Sequence, residues 1–191
     1  MKILIAGDSF AAPWPNTKLG WPDLLAEKHT VTNIAQAGIS EYRILKQIES
    51  QNVVDFDIAI VSHTSPSRVY TKNHPLHKTG FHQHCDLILN DVIDRSSFFN
   101  PSLKAAQGYF KYHYDDDYQI DIYNLIRKQI KELISIPYIS MSHVGIVNDL
   151  KIEDNHIDFS HLWSKERGSI NHYTLEGNLK ILENLERIFN A

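Results

Sequence analysis

Four short apolar runs, Lys2 to Ala6, Val31 to Ala35, Asp57 to Ser62 and Ile136 to Met141, alternate along the chain with stretches of helical periodicity. A run that stays apolar without alternating is buried on both faces, and short β-branched runs of this kind read as strands of a parallel sheet. The intervening stretches supply the crossovers. Trp21 to Lys28 and Ser40 to Ser50 read as short helices, the second with Ser40 as its N-cap. Asp121 to Ser135 carries Ile122, Leu125, Ile126, Gln129, Ile130 and Leu133 at helical spacing, and Thr174 to Phe189 carries Leu179, Ile181, Leu182, Leu185 and Ile188 behind a Thr174 cap. Strands alternating with helices demand right-handed crossovers, so the expected fold is α/β, a three-layer, doubly wound, mostly parallel sheet. Ligands of such sheets bind at the carboxyl ends of the strands, where Ser9, Gly38 and the segment after Ser62 are expected to meet.

Residues 69–118 break this rhythm. They hold many of the aromatics and histidines, and so long a connection is expected to be an insertion over the site, helical from about Asp86 to Asp94 and from Pro101 to His113, with Asp115-Asp116-Asp117 closing it. No repeat or linker divides the chain, and 191 residues suit a single domain over 1–191. A net charge of −4 offers no basic face by count, so no nucleic-acid partner is expected. No apolar run approaches the length of a membrane span, and residues 1–12 are too short in apolar sequence for a signal peptide. One cysteine, Cys85, excludes an internal disulfide framework and suits a reducing compartment, so a cytoplasmic location is expected. Oligomeric state is not legible.

The first strand ends in Gly7-Asp8-Ser9-Phe10, and 163 residues after Ser9 comes His172, in the run Asn171-His172-Tyr173-Thr174-Leu175-Glu176-Gly177-Asn178. A serine at a strand tip and a histidine entering a late helix are the parts of a nucleophile and its base. These blocks, with Trp21-Pro22-Asp23-Leu24-Leu25 and Thr32 to Ser40 between them, resemble in content and order those of the SGNH (GDSL-type) hydrolases. The resemblance implies a flavodoxin-like SGNH hydrolase fold, Ser9 as nucleophile, His172 as base, and an oxyanion site formed by the Ser9 and Gly38 N–H groups with an Asn side chain.

Two family positions differ. Where the family has Gly-x-Asn-Asp after the third strand, this chain reads Ser62-His63-Thr64-Ser65-Pro66-Ser67-Arg68, leaving Thr64, Ser65 or Arg68 to replace the Asn. Arg68 is the most interesting of the three, since a fixed cation stabilises an oxyanion or holds an acidic substrate. Three residues before His172 the family has Asp, and this chain has Ser169. Asp158-Phe159-Ser160-His161 carries the Asp-x-x-His spacing instead, so the base's partner stays open between Asp158, Ser169 and none; His172 is preferred over His161 because Gly177 and a long helix follow it.

His82-Gln83-His84-Cys85, with His74 and His77, raises a metal alternative, but the spacing matches no standard zinc site, and neither metal nor cofactor is expected. Trp14, Tyr42, Tyr109, Phe110, Tyr112 and Tyr114 read as core and lid packing more than as a sugar or acyl pocket. The expected function is therefore a serine esterase acting on a small-molecule or glycan ester with a short, acetyl-type acyl group. An acyltransferase using the same site, or a non-catalytic binding protein of the same fold, is the alternative.

Overall fold

The computed structural model describes residues 1–15, 17–144 and 156–190. Its sheet contains β1 (Lys2–Gly7), β2 (Thr30–Asn33), β3 (Ile58–His63), β4 (Tyr138–Ser142) and β5 (His156–Asp158). They lie in the order β2-β1-β3-β4-β5, every pairing parallel. Around the sheet run α1 (Trp21–Ala26), α2 (Glu41–Glu49), α3 (Leu89–Val92), α4 (Pro101–Tyr112), α5 (Asp116–Leu133), α6 (Ser160–Lys165) and α7 (Leu175–Phe189).

The unalternating runs are explained by the layers. Ile3 and Ile5 pack with Trp21, Leu25, Ile181 and Leu185 of α1 and α7, while Leu4 and Ala6 pack with Ile44, Leu45, Ile48 and Ile130 of α2 and α5. Residues 3–6 of β1 thus meet a helix layer whichever way they point, and every buried Ile or Leu contributes about 1.5–3 kcal/mol. The strand order reverses beside β1, between β2 and β3, and a crevice opens there at the carboxyl ends.

Local readings shift where polar residues take unexpected work. Helix α5 begins at Asp116, ahead of the expected Asp121, because Asp115 caps it by accepting the Tyr118 N–H at 2.8 Å and Asp116 and Asp117 fill its first turn. Its buried face is Tyr123, Arg127 and Ile130; Leu125 faces solvent. On α7, Ile181 and Leu185 are buried while Leu179 and Ile188 are exposed. Thr174 does cap α7, accepting the Gly177 N–H at 3.1 Å. Ser40 stands at the N-cap of α2 without capping it; its hydroxyl donates to Asp86 Oδ2 at 2.7 Å.

The insertion contains α3 and α4 and has a small core of its own, Leu87, Val92, Leu103, Ala106 and Phe110. Buried Asp86 ties it to the main domain by accepting the Ser40 N–H (2.8 Å) and Arg43 Nε (3.0 Å), and ties the insertion to itself by accepting the Thr71 N–H (2.9 Å). Two short strands had no sequence signature, β5 at the sheet edge and β6 (Arg167–Ile170) outside the sheet, since both are too short and polar to show a period.

Candidate active site

Gly7 ends β1 against β3 so closely that a Cβ there would lie 2.6 Å from Ser62 Cβ, which is why the strand tip admits only glycine. The next residue turns the chain. Asp8 Oδ1 accepts the Phe10 N–H at 3.0 Å, and its carbonyl accepts the Ala11 and Ala12 N–H groups at 3.1 and 2.9 Å. This turn presents Ser9 to a cleft of about 570 Å³, a volume suited to a small ligand. Burial pushes the Asp8 carboxyl up to about 6, against the Phe10 N–H, the Arg68 charge and the Thr64 hydroxyl, which favour its ionised form.

The histidine arrives from the opposite side of the chain. β6 and Tyr173 clasp the pair Asn171 and His172, whose φ angles are 50° and 66°, and the Gly168 N–H donates to the His172 carbonyl at 3.0 Å. Two successive positive φ values make the tightest hairpin turn. Asn accepts that conformation readily, whereas His does so at a cost of about 1–2 kcal/mol. The strained turn sets His172 Nε2 2.8 Å from Ser9 Oγ. Asn171 fixes the two loops to each other, its buried Nδ2 donating to the carbonyls of Ala12 (2.8 Å) and Ser9 (3.3 Å). Phe10 and Trp14 flank the imidazole with ring centroids 4.6 and 5.5 Å away, and Trp14 Nε1 donates to the Ser9 carbonyl at 3.0 Å. Burial, then the charges of Arg68 and His82, hold the His172 pKa below its ordinary value, so the ring is neutral and basic at neutral pH.

Gly38 lies across the cleft at φ 74°, where a Cβ would stand 2.6 Å from Cys85 Cβ. Its carbonyl accepts from Asp86 N (2.8 Å) and Arg68 Nη1 (3.0 Å). Among the described residues, the N–H groups of Ser9 and Gly38 donate no hydrogen bond, so two backbone donors of residues lining the cleft are uncommitted. Thr64, Ser65 and Arg68 all line the same cleft. Buried Glu41 holds this strand tip, pairing with His63 Nδ1 and accepting the Thr64 N–H at 3.3 Å.

Asp158, one of the candidates left open as the partner of His172, makes its described hydrogen bonds elsewhere. Asp158 closes β5 and turns to α6, accepting the Ser160 N–H (2.8 Å) and hydroxyl (2.9 Å) and the Ser142 hydroxyl (3.4 Å). Ser169 and His161 are exposed on β6 and α6, and among the described residues no carboxylate hydrogen-bonds His172. Residues 145–155, the acidic ones included, lie outside the described residues.

Several contributors carried no usable signal. His143, at the tip of β4, stacks on Phe10 at 4.6 Å and bonds the Tyr173 hydroxyl at 2.7 Å, supporting the ring that supports His172. Complete burial drives His143 down to about 3. Only Asn171 had a legible hint, being the residue type that tolerates a left-handed turn. Of the aromatics, Trp14 reaches the site, Phe110 is in the insertion's core, Tyr112 is exposed, and Tyr42 and Tyr109 line a separate groove between α2 and α5. Compared with known proteins, the chain matches no family model and no curated protein. Among the described residues, no helix is long and apolar enough to cross a membrane.

Proposed function

We propose that the protein is an SGNH-type serine esterase whose working pair is Ser9 and His172. The observation that carries this reading is the 2.8 Å contact of Ser9 Oγ with His172 Nε2, made across 163 residues at the carboxyl end of a parallel sheet. Ser9 Oγ attacks the ester carbonyl while His172 takes its proton, and the imidazolium returns that proton to the leaving alcohol. Water, activated by the same histidine, then releases the acid and restores Ser9. The tetrahedral oxyanion is held by the Ser9 and Gly38 N–H groups, and each such donor contributes roughly 3 kcal/mol. Arg68, fixed on the Gly38 carbonyl, adds a positive field where the family has an Asn side chain.

The cleft's polar walls, which include His77, His82, Asn90 and Asp91, favour a short acyl group on a polar alcohol over a long-chain lipid. A sugar hydroxyl in place of water makes the same pair an acyltransferase. One observation favours a second reading, a non-catalytic binding protein: among the described residues no carboxylate stands behind His172 to stabilise an imidazolium.

The deciding experiment compares p-nitrophenyl acetate and butyrate hydrolysis by wild type, Ser9→Ala and His172→Ala, with fluorophosphonate labelling located by peptide mass spectrometry. The esterase reading expects acetate to be preferred, both variants to be inactive and the label to sit on Ser9. An unlabelled Ser9 with equal rates in all three proteins overturns it in favour of the binding protein.

A further inference from the structure

The wall of the cleft formed by the insertion has an unusual construction. Between Thr71 and Asp86 the chain forms neither helix nor strand, and its ends are tied by the Thr71 N–H donating to Asp86 Oδ1 at 2.9 Å. Inside this closed loop stand His74, His77, His82 and Cys85, two pairs each separated by two residues. One possible ligand atom from each of His74, His77 and Cys85 lies within 4.8 Å of the other two. The rings of His74 and His77 are 4.6 Å apart, and His82 follows 5.9 Å from His77. A loop without regular secondary structure gains order from a cross-link.

We propose that this loop is a zinc-binding site, with His74, His77 and Cys85 as ligands and His82 or water completing a tetrahedron. The ligand chemistry selects the metal. Two imidazoles and a thiolate suit a borderline-soft divalent ion and not the oxygen-seeking calcium or magnesium. A second observation points the same way: His74 is only 2% exposed, yet its Nε2 is buried with no hydrogen-bond partner. Its Nδ1 accepts the Leu76 and His77 N–H groups at 3.2 Å each, so the unpartnered Nε2 carries the ring proton; binding a metal at Nε2 moves that proton to Nδ1, and the two long contacts are given up.

The charge balance is compatible with a cation. Asp91 acts on His74, His82 and Cys85 as a nearby negative charge, with Arg68 and Lys78 opposing it. A thiolate ligand must be deprotonated, so zinc replaces the Cys85 proton, which leaves to solvent, and binding strengthens as pH rises. His77, His82 and Cys85 also line the cleft that holds Ser9, so a loaded site would fix the wall facing the nucleophile.

The test is titration of the whole protein with cobalt(II), followed by zinc competition. Expected are a thiolate-to-cobalt charge-transfer band saturating at one ion per chain, its loss on adding one equivalent of zinc, and its absence in Cys85→Ser. His77→Gln should bind more weakly by at least the roughly 10- to 100-fold seen when a ligand's supporting contact is lost. Ser9→Ala should bind as wild type does, which separates this proposal from the esterase reading. No charge-transfer band in wild type, or an undiminished band in Cys85→Ser, overturns the site. If circular dichroism shows Cys85→Ser unfolded, the wild-type spectrum and His77→Gln decide alone.

Discussion

Asn171→Ala is the substitution that most directly probes how the fold joins Ser9 to His172. In the native protein the Asn171 amide is fully buried and donates to the carbonyls of Ala12 and Ser9. Ser9 keeps a donor in Trp14, but Ala12 has no other within the described residues. One buried acceptor left without a partner costs about 1–3 kcal/mol. Alanine must also adopt the φ of 50° that asparagine tolerates, at about 1–2 kcal/mol. The expected loss of stability is therefore about 2–5 kcal/mol, read by urea denaturation followed through tryptophan fluorescence. Hydrolysis should fall in parallel, because misplacing a base by about 1 Å can cost 10²-fold. A stability change below about 0.5 kcal/mol, the range of ordinary surface substitutions, would refute the claim that this side chain clamps the two loops.

Three further outcomes follow from the same geometry. The acid limb of kcat/KM should lie below the ordinary histidine value, and Arg68→Gln should move it upward by removing a positive charge from beside His172; an unmoved limb sinks that assignment. Burial holds His143 at about 3 against an ordinary 6.5, so its contribution to stability is complete above pH 6.5 and is lost toward pH 3, as the unfolded chain takes a proton the folded one refuses. His143→Phe, which keeps an aromatic ring on Phe10, should flatten the pH dependence of unfolding over that window by about 1.4 kcal/mol per pH unit; an unchanged slope contradicts the burial argument. Asp158→Asn should cost about 1 kcal/mol through its weakened hydrogen bonds to Ser160 and leave hydrolysis unchanged, whereas a collapse in rate would make Asp158 the orienting carboxylate.

What the chain determined by itself is local and repetitive. Apolar runs such as Ile3 to Ala6 could only be strands covered on both faces, and the helical spacing around Ile44 and Ile181 could only supply those covers, so the parallel α/β sheet was legible. Ser9 at the tip of β1 was legible for the same reason, since a strand that ends in Gly-Asp-Ser delivers the serine to the edge where such sheets bind ligands. The rest depended on contacts between residues far apart in sequence, which no local period encodes. Asp158 sits at the spacing of a catalytic carboxylate, yet its oxygens accept the Ser160 N–H and hydroxyl at the start of α6, because the edge strand β5 turns it that way. Ser40 reads as a cap and instead bonds an insertion that begins some thirty residues later, because Asp86 is buried and must collect donors wherever the fold supplies them. The convergence of His74, His77 and Cys85, the uncommitted N–H of Gly38 and the clamp by Asn171 arise only when the loops close over the strand ends, since each depends on the position of a partner that the chain's path, and not its local pattern, decides.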